Sequence, residues 1–184
     1  NHPLKTERPF REVNATITQA ALLGGGRIPR PGEISLAHKG VLFMDEIAEF
    51  PRTVMESLRK PMEDHNIKIV REMGEFEFPA DFLLVAAMNP CPCGNYPDLN
   101  RCTCTTAQIQ NYVGKLSQPF LDRIDLCGGW EELVNCLRSV QYLREVELLA
   151  VLRAYNRIAL YKKAGFLFEQ LNMPVCCMIS MERS

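Results

Sequence analysis

Two apolar runs, each followed directly by polar side chains, are the clearest pattern in the chain. Val41–Met44 is followed by Asp45 and Glu46, and Phe82–Met88 is followed by Asn89. Runs that are apolar at every position are typical of strands buried on both faces, as in parallel sheets covered by helices. We therefore predict an α/β fold in which the two runs are parallel strands of one sheet.

Helical spacing and one alternating segment surround these strands. Thr16–Leu23 predicts a short helix that ends at three glycines, and apolar residues spaced by four after Pro51 predict a second helix. Thr105–Leu116 predicts a third, with a threonine as N-cap. Ile67–Phe78 alternates apolar and charged residues around a Met-Gly pair, which indicates a β-hairpin inserted before the second strand.

The two ends of the chain carry weaker patterns. Asn1–Phe10 has no periodicity and two prolines, so we expect an extended entry segment there. Apolar residues spaced by three or four over Glu131–Lys163 predict a long helix, broken once. We assign no structure to the last twenty residues. The chain thus divides into a core over residues 1–126 and a helical C-terminal segment over residues 127–184.

Composition limits the class of protein. The 184 residues favour one domain with an appendage, and 21 basic against 22 acidic residues give a net charge of −1, so bulk charge does not indicate a polyanionic partner. We find no apolar run long enough to span a membrane and no apolar segment of an export signal near the first residue. We expect a cytoplasmic protein without a membrane partner.

The acidic pair after the first strand suits nucleotide hydrolysis. A carboxylate at a strand end, here Asp45, can hold Mg²⁺, and the next acid, Glu46, can polarise the attacking water. The amide of Asn89 can hold that water or contact a γ-phosphate oxygen. The alternatives are an exposed acidic turn and an Asn-Pro turn, each of which is common.

Several strings in the chain resemble the magnesium-chelatase-like AAA+ proteins, and specifically the ComM/YifB group. The resemblance covers roughly Arg8 to Leu126 and is carried by RPFR, AALLGGG, RPGEISLAHKGVLFMDEI, LRKPMED, FPADFLLVAAMNPCPCG and LDRIDL. It implies a partial P-loop AAA+ core, a parallel sheet flanked by helices with a β-hairpin insertion. ATP and Mg²⁺ are the cofactors implied.

The resemblance also implies roles for individual residues. Asp45 and Glu46 correspond to the Walker B acids, with Asp45 at the Mg²⁺, Asn89 to sensor 1, and Arg123 to the finger that reaches a neighbouring subunit's nucleotide. The implied assembly is a homo-oligomeric ring, a hexamer, acting on DNA as a helicase in branch migration. Alternatives are the motor subunit of magnesium chelatase and a non-catalytic, zinc-stapled fragment. For Arg123, a local ion pair with Asp122 or Asp125 is the other interpretation.

Three departures from the family pattern restrict what can be carried over. No GxxxxGK[ST] motif occurs in the chain, so the loop that cradles phosphates is absent, and the resemblance places it upstream of Asn1. The family's Pro-His-His stretch after RPFR is replaced by Val13, Asn14 and Ala15. The match fades after Leu126. We therefore expect negligible ATP hydrolysis by this chain alone.

Four cysteines follow Asn89 in the order CxC, eight residues, CxC. Cys91, Cys93, Cys102 and Cys104 are four soft ligands on one loop that can close around Zn²⁺. Turn-forming residues between the pairs allow the loop to fold back. The alternatives are reduced thiols without a ligand and a redox switch.

Basic residues on two loops are candidate DNA contacts. Lys68 and Arg71 lie in the predicted hairpin, and Arg27 and Arg30 lie beside the glycine run. Lysine and arginine bind phosphates along a nucleic-acid channel. The alternative is a solvated face, because three glutamates accompany the bases of the hairpin.

Overall fold

A computed structural model of the chain describes residues 8–124, 126–129 and 176–180. The strands in chain order are β1 Phe10–Val13, β2 Gly24–Gly25, β3 Arg30–Pro31, β4 Val41–Met44, β5 Asn66–Arg71, β6 Gly74–Pro79, β7 Leu83–Met88, β8 Leu126–Gly129 and β9 Cys176–Ser180. The helices are α1 Gln19–Leu23, α2 Glu33–Leu36, α3 Arg52–Asp64, α4 Thr106–Val113 and α5 Gln118–Leu121, and Ile47–Glu49 forms a 3₁₀ turn.

A five-stranded sheet in the order β1-β4-β7-β9-β8 is the centre of the fold. β4 is parallel to both β1 and β7, with Val41 opposite Leu83 and Met44 opposite Ala86. β9 runs antiparallel to β7 and β8. The predicted α/β fold with β4 and β7 as parallel neighbours is confirmed, in a sheet that also has an antiparallel edge.

The core forms where one face of this sheet meets the helices. Leu42 of β4 and its register partner Leu84 of β7 lie on that face and are fully buried. They pack in one cluster with Leu22 of α1, Ile34 of α2 and Leu58 of α3. The other side chains of β4 are buried too, and Phe43 stacks on Phe10 of β1 with ring centroids 6.1 Å apart. Burial on both faces explains why β4 is apolar at every position.

The predicted hairpin is confirmed as β5 and β6, which pair antiparallel from Asn66–Pro79 to Arg71–Gly74. Ile67 and Ile69 are buried against the core, while the side chains between them are exposed. The hairpin leaves the core directly after α3. That helix continues through Pro61 to Asp64 instead of ending at the proline.

Helix α4 begins as predicted. The Thr105 hydroxyl accepts a hydrogen bond from the Gln108 backbone N–H, and the Gln108 side chain accepts one from the Thr105 backbone N–H. This reciprocal capping box satisfies two backbone donors at the helix start. Helix α1 is shorter than predicted, because Thr18 and not Thr16 caps its first turn.

Strand β1 was not predicted, since we expected an extended entry segment without partners as far as Phe10. Two charged residues lie in the middle of this strand, and Arg11 makes a two-pronged ion pair with Glu33 of α2 at 2.6 and 2.9 Å. Strands β8 and β9 were not predicted either, and they join the sheet of the first 126 residues. The long helix predicted over Glu131–Lys163 lies outside the described residues.

Within the described ranges, no helix combines the length and the apolar character that crossing a bilayer requires.

Truncating one buried leucine of β7 should destabilise the fold strongly. We expect Leu84→Ala to lower the free energy of unfolding by about 2–5 kcal/mol, because the side chain is fully buried and leaves a cavity. Leu99→Ala is the matched control, since Leu99 is 82% exposed, and its effect should stay within about 0.5 kcal/mol. Urea denaturation measures both, and equal effects would contradict the packing described.

Candidate functional site

The carboxyl ends of β4 and β7 lie at one edge of the sheet. Asp45 follows β4 directly, and Asn89 follows β7, which continues two residues beyond the partner of Met44. Ligands of open α/β sheets bind outside this edge, because loops leaving parallel strands converge there. The predicted placement of Asp45 and Asn89 at the same edge is therefore confirmed.

The turn after β4 holds its two acids differently. Asp45 is half-buried, and burial raises the pKa of its carboxyl above the ordinary value. A hydrogen bond from the Glu46 backbone N–H, at 2.9 Å, opposes this shift without cancelling it. Glu46 is exposed and adopts a left-handed backbone with φ 51°. Such a conformation is costly for a residue with a side chain and concentrates at functional sites. The oxygen ligands on this turn have the chemistry that Mg²⁺ prefers.

Helix α4 and the turn that follows it bring two residues near this edge of the sheet, Tyr112 and Lys115, which sequence patterns do not reveal. Tyr112 is buried, and its pKa is raised by burial and by the negative charges of Glu49 and Glu46. The Asn89 backbone acts in the opposite direction and lowers this pKa, so Asn89 lies near the Tyr112 hydroxyl. Lys115 lies 5.2 Å from the centre of the Tyr112 ring, and its Nζ pairs with the Glu49 carboxylate at 3.2 Å. Tyr112 and Lys115 therefore lie near the segments that follow β7 and β4.

The four cysteines after Asn89 converge on one point. Their sulfurs all lie within 4.8 Å of one another, and Cys91, Cys93 and Cys102 are separated by 3.4, 3.6 and 3.8 Å. Four thiolates around one Zn²⁺ at about 2.3 Å lie about 3.8 Å apart. Among the described residues this is the one cluster of three or more such side chains that could hold a metal. The predicted convergence is confirmed.

The backbone around the cluster favours thiolates. The Tyr96 backbone N–H donates to the Cys91 sulfur at 3.4 Å, and a hydrogen bond from the Asn95 backbone is the main reason that the pKa of Cys93 falls to about 5. A backbone hydrogen bond from Cys93 also favours the Cys104 thiolate, yet burial and the neighbouring sulfurs raise its pKa to about 12. Thiolates this close repel one another, so a bound cation is needed to ionise all four.

Arg123 is held within its own chain. Its guanidinium forms an ion pair with Glu63 of α3 and donates to the Pro119 carbonyl. Of its two expected local partners, Asp122 instead accepts a hydrogen bond from the Gln118 side chain at 2.8 Å, and Asp125 lies outside the described residues. In the described residues the ion-pair partner of Arg123 is thus Glu63 of α3 and not Asp122. The finger role stays a prediction.

The two candidate DNA loops lie side by side. Arg71 of the β5–β6 hairpin donates to the Gly26 carbonyl at 3.2 Å, in the turn between β2 and β3. The Lys68 Nζ lies 3.7 Å from a carboxylate oxygen of Glu75, so part of the charge of Lys68 is offset. Arg27 and Arg30 are exposed. Exposed apolar residues lie among these bases, namely Ile28, Val70 and Met73. Contact of these loops with DNA stays a prediction.

Comparison with known proteins assigns the family. The family model for magnesium chelatase, subunit ChlI, matches residues 1–133. The chain therefore belongs to this family. The solved structure of NtrX from Brucella abortus aligns with 44% of this chain and 19% of that chain at a TM-score of 0.36 and 27% identity, a similarity on which no argument rests.

Curated relatives fall into two groups. The chain is 52% identical over 120 residues to competence protein ComM of Haemophilus influenzae, covering 65% of this chain and 23% of that protein. It is 50% identical over 120 residues to the uncharacterised protein YifB of Escherichia coli, covering 65% and 24%. The chain is 29% identical over 92 residues to the magnesium-chelatase 67 kDa subunit of Chlorobaculum parvum, covering 45% of this chain and 15% of that protein. The chain spans about a quarter or less of these relatives.

The sulfur environments predict unequal reactivity in protein stripped of metal and kept reduced. At about pH 7 Cys93 should be alkylated first, because a pKa of about 5 leaves it ionised, and Cys104 last, because a pKa of about 12 leaves it protonated. Labelling of Cys93 should be lost as the pH falls through about 5. Peptide mass spectrometry after brief iodoacetamide treatment measures both, and equal labelling at about pH 7 would contradict the described hydrogen bonding.

Proposed function

We propose that this chain is the catalytic-edge portion of a AAA+ motor that hydrolyses ATP. The observation that carries the proposal is the parallel pairing of β4 and β7, which brings Asp45, Glu46 and Asn89 to one sheet edge. In this arrangement Asp45 holds Mg²⁺, and Glu46 accepts a proton from the attacking water. Asn89 orients that water against the γ-phosphate. Membership of the magnesium chelatase family supports the ATPase class.

The residues present fit one side of a nucleotide site. A half-buried carboxylate and a neighbouring amide supply oxygen ligands of the kind Mg²⁺ takes, and bound Mg²⁺ neutralises charge that develops on the phosphates. A phosphate-binding GxxxxGK[ST] loop is not in this sequence. Backbone N–H groups of such a loop supply much of the nucleotide's positioning. We infer that the other side of the site comes from residues outside this chain.

A ring acting on DNA is the assembly we favour. ComM and YifB match the chain at 52% and 50% identity, against 29% for the magnesium-chelatase 67 kDa subunit, so we rank a ComM-like DNA helicase of branch migration above a chelatase motor. In a hexameric ring the two adjoining loops would offer Arg27, Arg30, Lys68 and Arg71 to phosphates. We place this motor in the reducing cytoplasm, where four free thiols persist.

Zn²⁺ is the ion we assign to the cysteine cluster. Four thiolates in near-tetrahedral reach of one another suit Zn²⁺ in a structural site, with no open position for a substrate. Elemental analysis should find one zinc per chain. Metal-free protein at full yield, with the four sulfurs titrating as free thiols, would contradict this assignment.

The Glu46→Gln variant tests the ATPase proposal. In a version of the chain extended upstream to include a phosphate-binding loop, the variant should bind ATP with unchanged affinity and lose hydrolysis, because the amide cannot take a proton from water. Leu99→Ala, at an exposed position, is the control and should hydrolyse ATP normally. The unextended chain should be inactive. An extended protein with no turnover at all would instead favour the non-catalytic fragment.

A mixing experiment tests the role of Arg123. Glu46→Gln and Arg123→Ala are each expected to be inactive in the extended protein. A mixed ring pairs an intact Glu46 on one subunit with an intact Arg123 on its neighbour, and an arginine supplied in trans is worth about 10³–10⁵ in rate. Partial ATPase activity should therefore return on mixing. If mixed rings form and stay inactive, Arg123 is a structural partner of Glu63 only.

A further inference from the structure

We propose that metal in the four-cysteine cluster clamps the end of β7 to helix α4 and so positions Asn89 for hydrolysis. The proposal rests on the function proposed above and adds a task for the cluster, beyond that of stapling its own loop. Three features carry it: the places where the cysteine loop begins and ends, the lack of other anchors along the loop, and the position of α4 near Asn89.

The cluster lies between the two elements that it would join. Cys91 is two residues beyond Asn89, and Cys104 directly precedes Thr105, the N-cap of α4. One ion bound by both cysteine pairs therefore fixes the distance between the end of β7 and the start of α4. Metal ligation of this kind couples binding energy to the folding of the segments that supply the ligands.

Nothing else in the described structure anchors this loop strongly. Residues 91–104 contain turns but no helix or strand, and Cys91 is the one buried residue among them. Leu99, an apolar side chain at the far end of the loop, is 82% exposed. Ordering such a segment costs conformational entropy that apolar burial offsets elsewhere in a protein. The metal is the contact that can offset this cost here.

The C-terminal part of helix α4 lies near Asn89, at the sheet edge where the cysteine loop begins. Tyr112 is buried in the core cluster. Burial and the charges of Glu49 and Glu46 raise its pKa, and the Asn89 backbone lowers it, so these groups lie near its hydroxyl. Lys115 adds the ion pair with Glu49 at 3.2 Å. The metal would therefore be connected to Asn89 in two ways, through Cys91 along the chain and through Cys104 and helix α4. Tyr112 acts as a positioning residue, since its hydroxyl lies near the Asn89 backbone.

The test compares three variants of the full-length protein that contains this chain. Cys104→Ser removes one ligand, and Tyr112→Phe removes the hydroxyl and keeps the ring. Leu99→Ala is the control, at an exposed position of the same loop that supplies no ligand. For each we would measure zinc content, ATP affinity, kcat and amide hydrogen exchange at residues 86–91 and 106–113.

Cys104→Ser should lose zinc, exchange faster at both segments, keep ATP affinity and lower kcat about 10-fold to 100-fold, the scale seen when groups that orient a metal site are removed. Tyr112→Phe should keep zinc and ATP affinity and lower kcat about 2-fold to 10-fold, the scale of removing one hydroxyl that can form a hydrogen bond. Leu99→Ala should match the unsubstituted protein in every measurement, because Leu99 is 82% exposed.

Two results would overturn the clamp. One is zinc loss that leaves exchange at residues 86–91 and 106–113 unchanged, and the other is an unchanged kcat in Tyr112→Phe. If the unsubstituted protein binds ATP but never hydrolyses it, the proposed function fails instead. The exchange measurement still decides the clamp in that case, because it needs no turnover.

Discussion

The parallel pairing of β4 with β7 is the constraint on which the rest of the structure depends. Both strands are buried along nearly their whole length, so they must be apolar and have no room for polar side chains. Parallel strands also point the same way, and polar residues that follow them are delivered to one edge. Asp45 is thereby half-buried at the same sheet edge as Asn89.

The opposite edge of the sheet holds the hairpin insertion in place. There Lys39 forms an ion pair with Asp81, and the Asp81 backbone N–H donates to His38 at 3.2 Å. The two ends of the hairpin are joined where the Ala80 N–H donates to the His65 carbonyl at 2.8 Å. The fold thus separates two features, with the candidate site at the carboxyl edge and attachment of the inserted hairpin at the amino edge.

The features of the fold that could be predicted from the sequence are those that depend on residues close together in the chain. The buried strands, the hairpin, the capping of α4 and the converging cysteines each follow from residues close together in the chain. Strand β1 was missed because it is four residues long and mixes Arg11 and Glu12 with apolar neighbours. Strands β8 and β9 are short and lie far from their partners in sequence, so only the assembled sheet reveals them.

The site shows the same division. The placement of Asp45, Glu46 and Asn89 at one sheet edge could be predicted because they directly follow the two buried strands. The ion pair of Arg123 with Glu63 and the contact of Lys115 with Glu49 join residues about 60 apart in the chain, and no spacing rule covers such pairs. Tyr112 follows a helical pattern that predicts burial but not the position of its hydroxyl near the Asn89 backbone.

The most direct test of this account is a structure of the upstream-extended protein with Mg²⁺ and a non-hydrolysable ATP analogue. We predict that the ion is held at Asp45, directly or through a bound water, and that the γ-phosphate faces Asn89 with Glu46 beside it. A nucleotide bound at the amino edge of the sheet, near Lys39 and Asp81, would contradict the account. So would a nucleotide whose phosphates lie beyond the reach of both Asp45 and Asn89.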